Sequence, residues 1–257
     1  MALSVIFAVR IALFASNIRI RPRAFMLGFP NRMGTFTQFA WFGGSLIEVV
    51  ILVRSIQCKS FAKYSLFYAY IVFLLCMSLF FRAAYIAMPS LIFRVYLPLQ
   101  AITSALGCGV ILEIIRHVFA GHVSLKRFAR RAAVMVFGMI YLEVAILAVL
   151  LLHRNPTVHQ TRLEMDLRVA QAVGLMAIIY LTGHYGIELG RNMRGMILGF
   201  GVYVGVSLIS LPLRVFLDVQ FNSTWRIIQT SAYLAALLIW AVALWTYEPD
   251  AETGPRF

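Results

Sequence analysis

Residues 64–81 read YSLFYAYIVFLLCMSLFF, a run without charge that is bounded by Lys63 and Arg82. About 20 mostly apolar residues suffice for a helix to cross a hydrocarbon core about 30 Å thick. No water satisfies the backbone inside lipid, so such a run must be a helix or a strand of a closed barrel. Barrel strands alternate apolar and polar residues, and this run does not alternate. The stretch therefore predicts a transmembrane helix.

Six other stretches have the same character, and together they decide the predicted fold class. They are residues 33–53, 95–112, 132–153, 169–187, 195–213 and 227–247. The first contains a single charge at Glu48 and the 132–153 stretch a single charge at Glu143, whereas the other four contain none. The sequence predicts an all-α polytopic membrane protein, a bundle of seven transmembrane helices without a soluble domain.

The composition excludes several classes of protein. The chain is 61% hydrophobic and 13% charged, whereas soluble domains are about 45–50% apolar and about 25% charged. The net charge of +13 comes from cations that lie between the apolar runs rather than in one patch. Such cations contact anionic lipid headgroups, so we expect the lipid bilayer, and no nucleic acid, as a partner. The three cysteines have no CxxC spacing and predict no disulfide framework.

The chain divides into a basic N-terminal arm (1–32), a membrane domain (33–247) and a short acidic tail (248–257). The arm opens with an apolar run that has Arg10 at its centre, and a central arginine costs roughly 2.5–3.5 kcal/mol on insertion. Three interpretations remain open. The arm is an interfacial amphipathic helix, a poor eighth span, or sequence upstream of a true start at Met26 or Met33.

Orientation follows from the lysines and arginines of short loops, which concentrate on the cytoplasmic side. The loops 54–63, 116–131 and 188–194 and the tail contain 11 such cations, and the loops 82–94, 154–168 and 214–226 contain 7. We expect a multi-pass protein of the bacterial inner membrane, with its N-terminus outside and its C-terminus inside. The five arginines of residues 1–35 would erase this bias if the arm belongs to the mature chain.

Two pairs of polar residues lie near helix ends at the spacing of one helical turn. Glu113 and His117, with Arg116 between them, close the third predicted span, and His184 and Glu188 close the fifth. We interpret Glu113 and His117 first as an intrahelical pair that engages the basic loop. If the third and fifth helices adjoin, the four residues would form a metal site, and the two histidines alone would hold a haem.

Glu143 and Glu48 are functional candidates because an ionisable residue inside the membrane is costly. We expect Glu143 to face the interior of the bundle, either protonated or paired with a polar neighbour. Glu48 is expected toward the inner end of the first span, where it can reach toward Arg54. Separately, Gly195, Gly199, Gly201 and Gly205 form two GxxxG spacings. These predict close helix packing within the bundle, or alternatively a homodimer.

Three segments resemble a group of bacterial, Acidobacteria-type seven-helix integral membrane proteins that have no assigned activity. They are YSLFYAYIVF (64–73), LEIIRHVF (112–119) and LGFG (198–201), and the resemblance covers about residues 34 to 247. Glu113, Arg116, His117 and Phe119 match the block that ends the third helix in that group. The group usually has Gly-Leu-Ser-Trp-Arg between its fifth and sixth helices, whereas this chain has GIELGR (186–191). His184 and Glu188 are therefore not part of the shared pattern.

Three functions remain after the exclusions. The first is a seven-helix sensory or scaffold module that acts through a membrane or cytoplasmic signalling partner. The alternative is a proton-coupled small-molecule transporter that uses an intramembrane glutamate, and the second alternative is a membrane-embedded metal or haem protein. We expect no enzyme activity and no cofactor. A retinal protein is excluded because residues 227–247 contain no lysine for a Schiff base.

The orientation is testable at Cys58, which follows the first predicted span. We expect it to be cytoplasmic, and therefore protected from impermeant thiol reagents in intact cells but labelled after the membrane is permeabilised. Labelling of Cys58 in intact cells would reverse the predicted orientation.

Overall fold

The computed structural model describes residues 35–58, 60–87, 89–121 and 156–245, together with eleven positions between 127 and 142. Within these residues all regular structure is helical. The helices are α1 (Thr35–Gln57), a 3₁₀ turn (Ser60–Ala62), α2 (Ser65–Ala87), α3 (Pro89–Val118), α4 (Pro156–His184) and α5 (Arg191–Trp245). The described positions between 127 and 142 are also helical. The predicted N-terminal arm (1–32), the C-terminal tail (248–257) and Glu143 lie outside the described residues.

Helix α5 is one run of 55 residues, but its two halves pack against each other. The indole nitrogen of Trp240 donates a hydrogen bond to the carbonyl oxygen of Met196 at 3.3 Å. A straight helix would separate these residues by roughly 66 Å, at about 1.5 Å per residue. Gln229 donates to Ser210 and accepts from Ser207. The run is therefore a helical hairpin that reverses between Ser210 and Gln229, and we call its halves the first arm (191–213) and the second arm (224–245).

Among the described residues, six helical segments are long and apolar enough to cross a membrane: Gln38–Gln57, Ser65–Ala84, Pro98–Val118, Met165–His184, Arg191–Leu213 and Thr224–Trp245. The prediction of a helical, multi-pass membrane protein is thereby confirmed. Several predicted boundaries were too narrow, because a charge that is bonded inside the bundle does not end a helix. Glu113 and Arg168 lie within these segments, although the predicted spans stop just short of both. The predicted span 132–153 is described only as far as residue 142.

The directions of the helices follow from pairs of contacts. Gln171 of α4 donates a hydrogen bond to the Ser104 carbonyl of α3, and a methyl group at Gly174 would lie 3.2 Å from Ile111. Residue numbers rise together along both helices, so α3 and α4 run in the same direction. By the same criterion α1 and the second arm of α5 are parallel, since Gly44 lies against Leu237 and Arg54 bonds to Trp245.

The core is centred on Trp240 of the second arm, whose side chain is fully buried. Its ring centroid lies 5.3 Å from that of Phe67, 6.4 Å from that of Tyr70 and 5.0 Å from that of Phe200. Large aromatic rings contribute much buried area and favour edge-to-face pairs of this kind. One residue therefore joins α2 to both arms of α5.

The outer surface of the bundle is apolar, as a protein dissolved in lipid requires. Leu46 of α1 is 66% exposed and Ile209 of α5 is 68% exposed. Many other large apolar side chains on α1, α2, α4 and α5 are exposed as well. Three charged residues inside the spans, Glu48, Glu113 and Arg168, are buried instead, so their desolvation must be offset by bonds within the bundle.

The two predicted GxxxG spacings have different surroundings. A methyl group at Gly195 would collide with Ala243, and one at Gly199 would collide with the Trp240 ring. These two glycines therefore let the arms of α5 approach closely. Gly201 and Gly205 have no described atom within 4 Å of the position a methyl group would take. The first pair thus lies against the second arm, whereas no described neighbour lies against the second pair.

Replacing Gly199 tests this packing. In Gly199→Ala the added methyl group must displace the buried Trp240 ring, and overpacking of this kind costs about 1–3 kcal/mol. We expect a lower midpoint of thermal unfolding for the purified protein in detergent. Gly201→Ala is the matched control and should leave the midpoint unchanged or raise it, since alanine favours helix by about 1 kcal/mol over glycine. Equal midpoints for the two variants would contradict the close approach.

Candidate functional site in the interior of the bundle

Glu48 is the central charged residue of the first span. It lies ten residues after Gln38 and nine before Gln57, and its side chain is 1% exposed. The hydroxyl of Tyr233, on the second arm of α5, donates a hydrogen bond to Glu48 Oε1. The expectation that Glu48 lies toward the inner end and reaches Arg54 was wrong. Arg54 bonds instead to the Trp245 carbonyl at 3.1 Å and to Gln57 at 3.4 Å.

The second carboxyl oxygen of Glu48 is buried without a hydrogen-bond partner among the described residues. A buried charge without pairing is very costly, and a carboxyl group in such a place can avoid the cost by taking a proton. The group therefore has the surroundings of an intramembrane carboxyl that binds and releases a proton.

A second polar group lies on the neighbouring helices. Arg168 of α4 is 3% exposed and donates to Gln171 Oε1 at 3.1 Å and to the Tyr203 hydroxyl at 3.0 Å. Its guanidinium carbon also lies 4.6 Å from the centre of the Tyr203 ring. Gln171 then donates to the Ser104 carbonyl at 3.2 Å. This group fastens α3, α4 and the first arm of α5 to one another.

Tyrosine rings connect the two groups. The rings of Tyr203 and Tyr233 meet edge to face at 5.9 Å, and the buried Tyr70 of α2 lies within electrostatic range of Glu48, Arg168 and Tyr203. We call Glu48, Tyr233, Tyr203, Arg168 and Gln171 the interior network. It places one acidic and one basic side chain in the middle of the bundle, with a titratable phenol bonded to each.

Glu48 could be recognised as a candidate from the sequence, whereas Arg168 was not predicted. The predicted span began at residue 169, because a charged residue was taken as the end of the apolar run. The spacing of Arg168 and Gln171 was the available signal, since residues three apart share a helix face. The tyrosine partners lie on another helix, and no local pattern reveals them.

Glu113 has a structural contact at one end of the bundle. Its carboxylate accepts hydrogen bonds from the backbone amides of Leu66 at 3.1 Å and Phe67 at 2.9 Å, and from Ser65 Oγ at 3.4 Å. These amides belong to the first turn of α2, where four N–H groups have no partner within the helix. The helix dipole also favours negative charge there. Glu113 of α3 is therefore the cap of α2.

Arg116 and His117 lie in the last turn of α3. The His117 ring nitrogen Nδ1 bonds to the backbone oxygen of Glu113 at 2.9 Å, not to its carboxylate. The His117 ring also lies 5.2 Å from the Tyr64 ring, and Arg116 is exposed. The expected pair of side chains is therefore not seen among the described residues. The imidazole bonds to the Glu113 backbone, and the carboxylate bonds to α2.

The four candidate metal ligands are not brought together. His184 is exposed and packs against Tyr180 and Tyr185 at 5.9 and 5.0 Å, and Glu188 is exposed in the turn that follows. In the part of the chain that the structure describes, no three His, Cys, Asp or Glu side chains are placed to hold a metal ion. The Glu113 carboxylate is already bonded by α2, so the predicted set does not assemble.

The cap is testable by removing its acceptor. In Glu113→Ala the buried amides of α2 lose their partner, which costs about 1–3 kcal/mol. Glu113→Gln keeps one acceptor oxygen and should lose part of that amount. We expect thermal unfolding midpoints in the order wild type, Gln, Ala. Glu188→Gln is the matched control at an exposed position, and a Glu113→Ala midpoint equal to that of the control would contradict the cap.

Comparisons of this chain with protein-family models, with curated proteins and with solved structures give no match. The resemblance to the bacterial seven-helix group therefore stays a prediction.

Proposed function

We propose that this protein is a proton-coupled small-molecule transporter with seven transmembrane helices, in which Glu48 takes up and releases the proton. The observation that carries the proposal is the setting of the Glu48 carboxyl group. It lies at the centre of a span, it is buried, and only one of its oxygens is bonded among the described residues. An intramembrane carboxyl that faces other helices is typical of proton relays in pumps and transporters.

The interior network supports coupling between Glu48 and helix packing. Tyr233 donates to Glu48, so a change of the Glu48 charge changes the strength of this bond between α1 and the second arm. Arg168 ties α4 to the first arm through Tyr203. Protonation of one carboxyl group thereby acts on contacts among several helices, which is the physical requirement for moving a substrate with a proton.

The helix directions support the count of seven spans. Helices α3 and α4 run in the same direction, so the chain between them must cross back once. Described helical residues lie in that interval, where Phe137 approaches Gly174 and the Tyr141 hydroxyl donates to the Ala101 carbonyl at 3.4 Å. The first and last spans are also parallel, as an odd number of crossings requires.

The charges at the two ends of the bundle support an inner-membrane protein with its N-terminus outside and its C-terminus inside. One end holds the turn between α1 and α2, the close of α3, the start of α5 and the end of the second arm. The described cations at that end are Arg54, Lys63, Arg116, Arg127, Arg130, Arg131, Arg191 and Arg194. We assign this end to the cytoplasm on the rule that lysine and arginine concentrate there.

A sensory or scaffold module that acts through a partner is the second candidate. It is favoured by the exposure of Arg116, Arg127, Arg130 and Arg131, which present positive charge at one end of the bundle. The two candidates differ in what each substitution removes. Neutralising these arginines should abolish a partner-dependent output and leave proton uptake intact, whereas a change at Glu48 should do the reverse.

Transport is tested in vesicles that contain the purified protein and an entrapped pH-sensitive dye. A panel of small organic solutes is added, and a transported solute should change the pH of the lumen. We expect Glu48→Gln, which keeps the shape but cannot ionise, to reduce the signal to that of protein-free vesicles. Glu188→Gln is the control and should transport like the wild type.

Protonation of Glu48 is tested separately with dicyclohexylcarbodiimide, which attacks protonated carboxyl groups in apolar surroundings. Modification of Glu48, read by mass spectrometry, should fall as the pH rises because the ionised form does not react. A folded Glu48→Gln protein with full pH-dependent uptake, or a Glu48 that is not modified at any pH, would overturn the proposed function.

A further inference from the structure

A narrow cleft opens between α1 and the second arm of α5, at the end of the bundle that carries Arg54. It is lined by Val50, Ile51, Arg54, Ser55, Tyr68, Ala241, Leu244 and Trp245, and its interior has room of about 10 Å³. A cavity needs roughly 10–15 Å³ of this kind to hold one water molecule, together with polar partners. The Ser55 hydroxyl and the Arg54 guanidinium supply polar groups among its walls.

The face of α1 that lines the cleft continues to Glu48. Glu48, Ile51 and Ser55 are three and four residues apart, so they share one face of the helix, and all three are buried. Ser55 and Ile51 line the cleft, and Glu48 is one turn deeper, about 4.5 Å further at 1.5 Å per residue. The second arm has the corresponding residues at four-residue intervals. Ala241 lines the cleft, Leu237 lies one turn closer to Glu48, and Tyr233 is bonded to Glu48.

Arg54 lines the cleft and bridges the two helices that form it. Its Nε donates to the Trp245 carbonyl at 3.1 Å, and its guanidinium carbon lies 5.6 Å from the centre of the Trp245 ring. These two contacts hold α1 and the second arm together at the outer edge. Between the mouth and Glu48 the walls become apolar at Ile51 and Leu237, which are almost fully buried.

We infer that, in the conformation of this structure, Glu48 exchanges its proton with water on the Arg54 side of the membrane, through this cleft, with Ile51 as the barrier and Arg54 as the cover. In this exchange a water molecule passes from the cleft to Glu48, the O–H bond of the protonated carboxyl group breaks, and the water leaves as hydronium with the proton. The reverse step returns the proton from hydronium to the carboxylate. The inference rests on the proposed function and adds the route and the side of access.

The charged and titratable groups around Glu48 determine how its proton exchange depends on pH. Tyr233 of the second arm is bonded to it, and Tyr70 of α2 lies within electrostatic range of it. Tyr203 of the first arm contacts the Tyr233 ring, and Arg168 of α4 donates to Tyr203. Arg54 is the charged group of α1 on the route. The phenols are neutral in the ordinary pH range, so the pH near the cleft should act mainly on Glu48 itself.

The side of access is tested in vesicles with different pH on the two faces of the membrane. The orientation of the protein is read from Cys58, which lies on the Arg54 side and reacts there with an impermeant thiol reagent. Glu48 is then modified with dicyclohexylcarbodiimide. With no solute added, so that the protein does not cycle, we expect the extent of modification to follow the pH on the Cys58 side and to be independent of the pH on the other side. Modification that follows the opposite face, both faces or neither overturns the route.

The cover is tested with Ser55→Cys in a chain whose three native cysteines are replaced by alanine. The new thiol should react slowly with a small impermeant reagent on the Arg54 side. Adding Arg54→Ala should raise that rate several-fold, because the mouth opens. Val53→Ala, next to Arg54 but facing outward, is the matched control and should leave the rate unchanged. Equal rates for the two variants overturn the role of Arg54 as the cover.

The two proposals fail in distinguishable ways. If Glu48 is not modified at any pH, the proposed function fails. If Glu48 is modified in a pH-dependent way but follows the wrong face, only the route through the cleft fails.

Discussion

The contact between Trp240 and Gly199 is the interaction on which the rest of the bundle depends. It closes the helical hairpin of α5, because the indole ring occupies the space that any side chain at residue 199 would need. The same ring packs against Phe67 and Tyr70 of α2. Lipid tails are as apolar as the helices, so association depends on close packing of this kind and on bonds between polar groups. With the hairpin closed, Tyr203 and Tyr233 face each other and can join Arg168 to Glu48.

The polar groups of the bundle serve two purposes. Glu113 satisfies backbone amides that would otherwise have no partner, and its two bonds fix α3 against the start of α2. Gln171 likewise fixes α4 against α3. Glu48 is different, since its second oxygen has no partner among the described residues. The Glu113 carboxylate is held by donors of α2, whereas a buried carboxyl group with only one bonded oxygen can avoid the cost of a buried charge by taking a proton. This contrast separates the structural acid from the functional candidate.

Much of the architecture could be predicted from the sequence, because a span needs only a long apolar run. Local composition therefore located the six described spans, but it misjudged their ends at Glu113 and Arg168. These charges are bonded by other helices, and the identity of such partners depends on packing. Tyr233 is 185 residues from Glu48, and no spacing rule connects them. For the same reason the Glu113 carboxylate could be recognised as a polar group at a membrane edge but not as the cap of another helix.

The cap of α2 comes from a helix that is synthesised later than α2 itself. Glu113 follows Phe67 by 46 residues, so α2 leaves the ribosome before its cap exists. At about 5–20 residues per second, the delay is roughly 2 to 9 s. During that time the first amides of α2 must be hydrated by water at the bilayer surface or held by the insertion machinery. The bonds that fix the start of α2 against α3 therefore form only after α3 has been synthesised, and the later helix completes the earlier one.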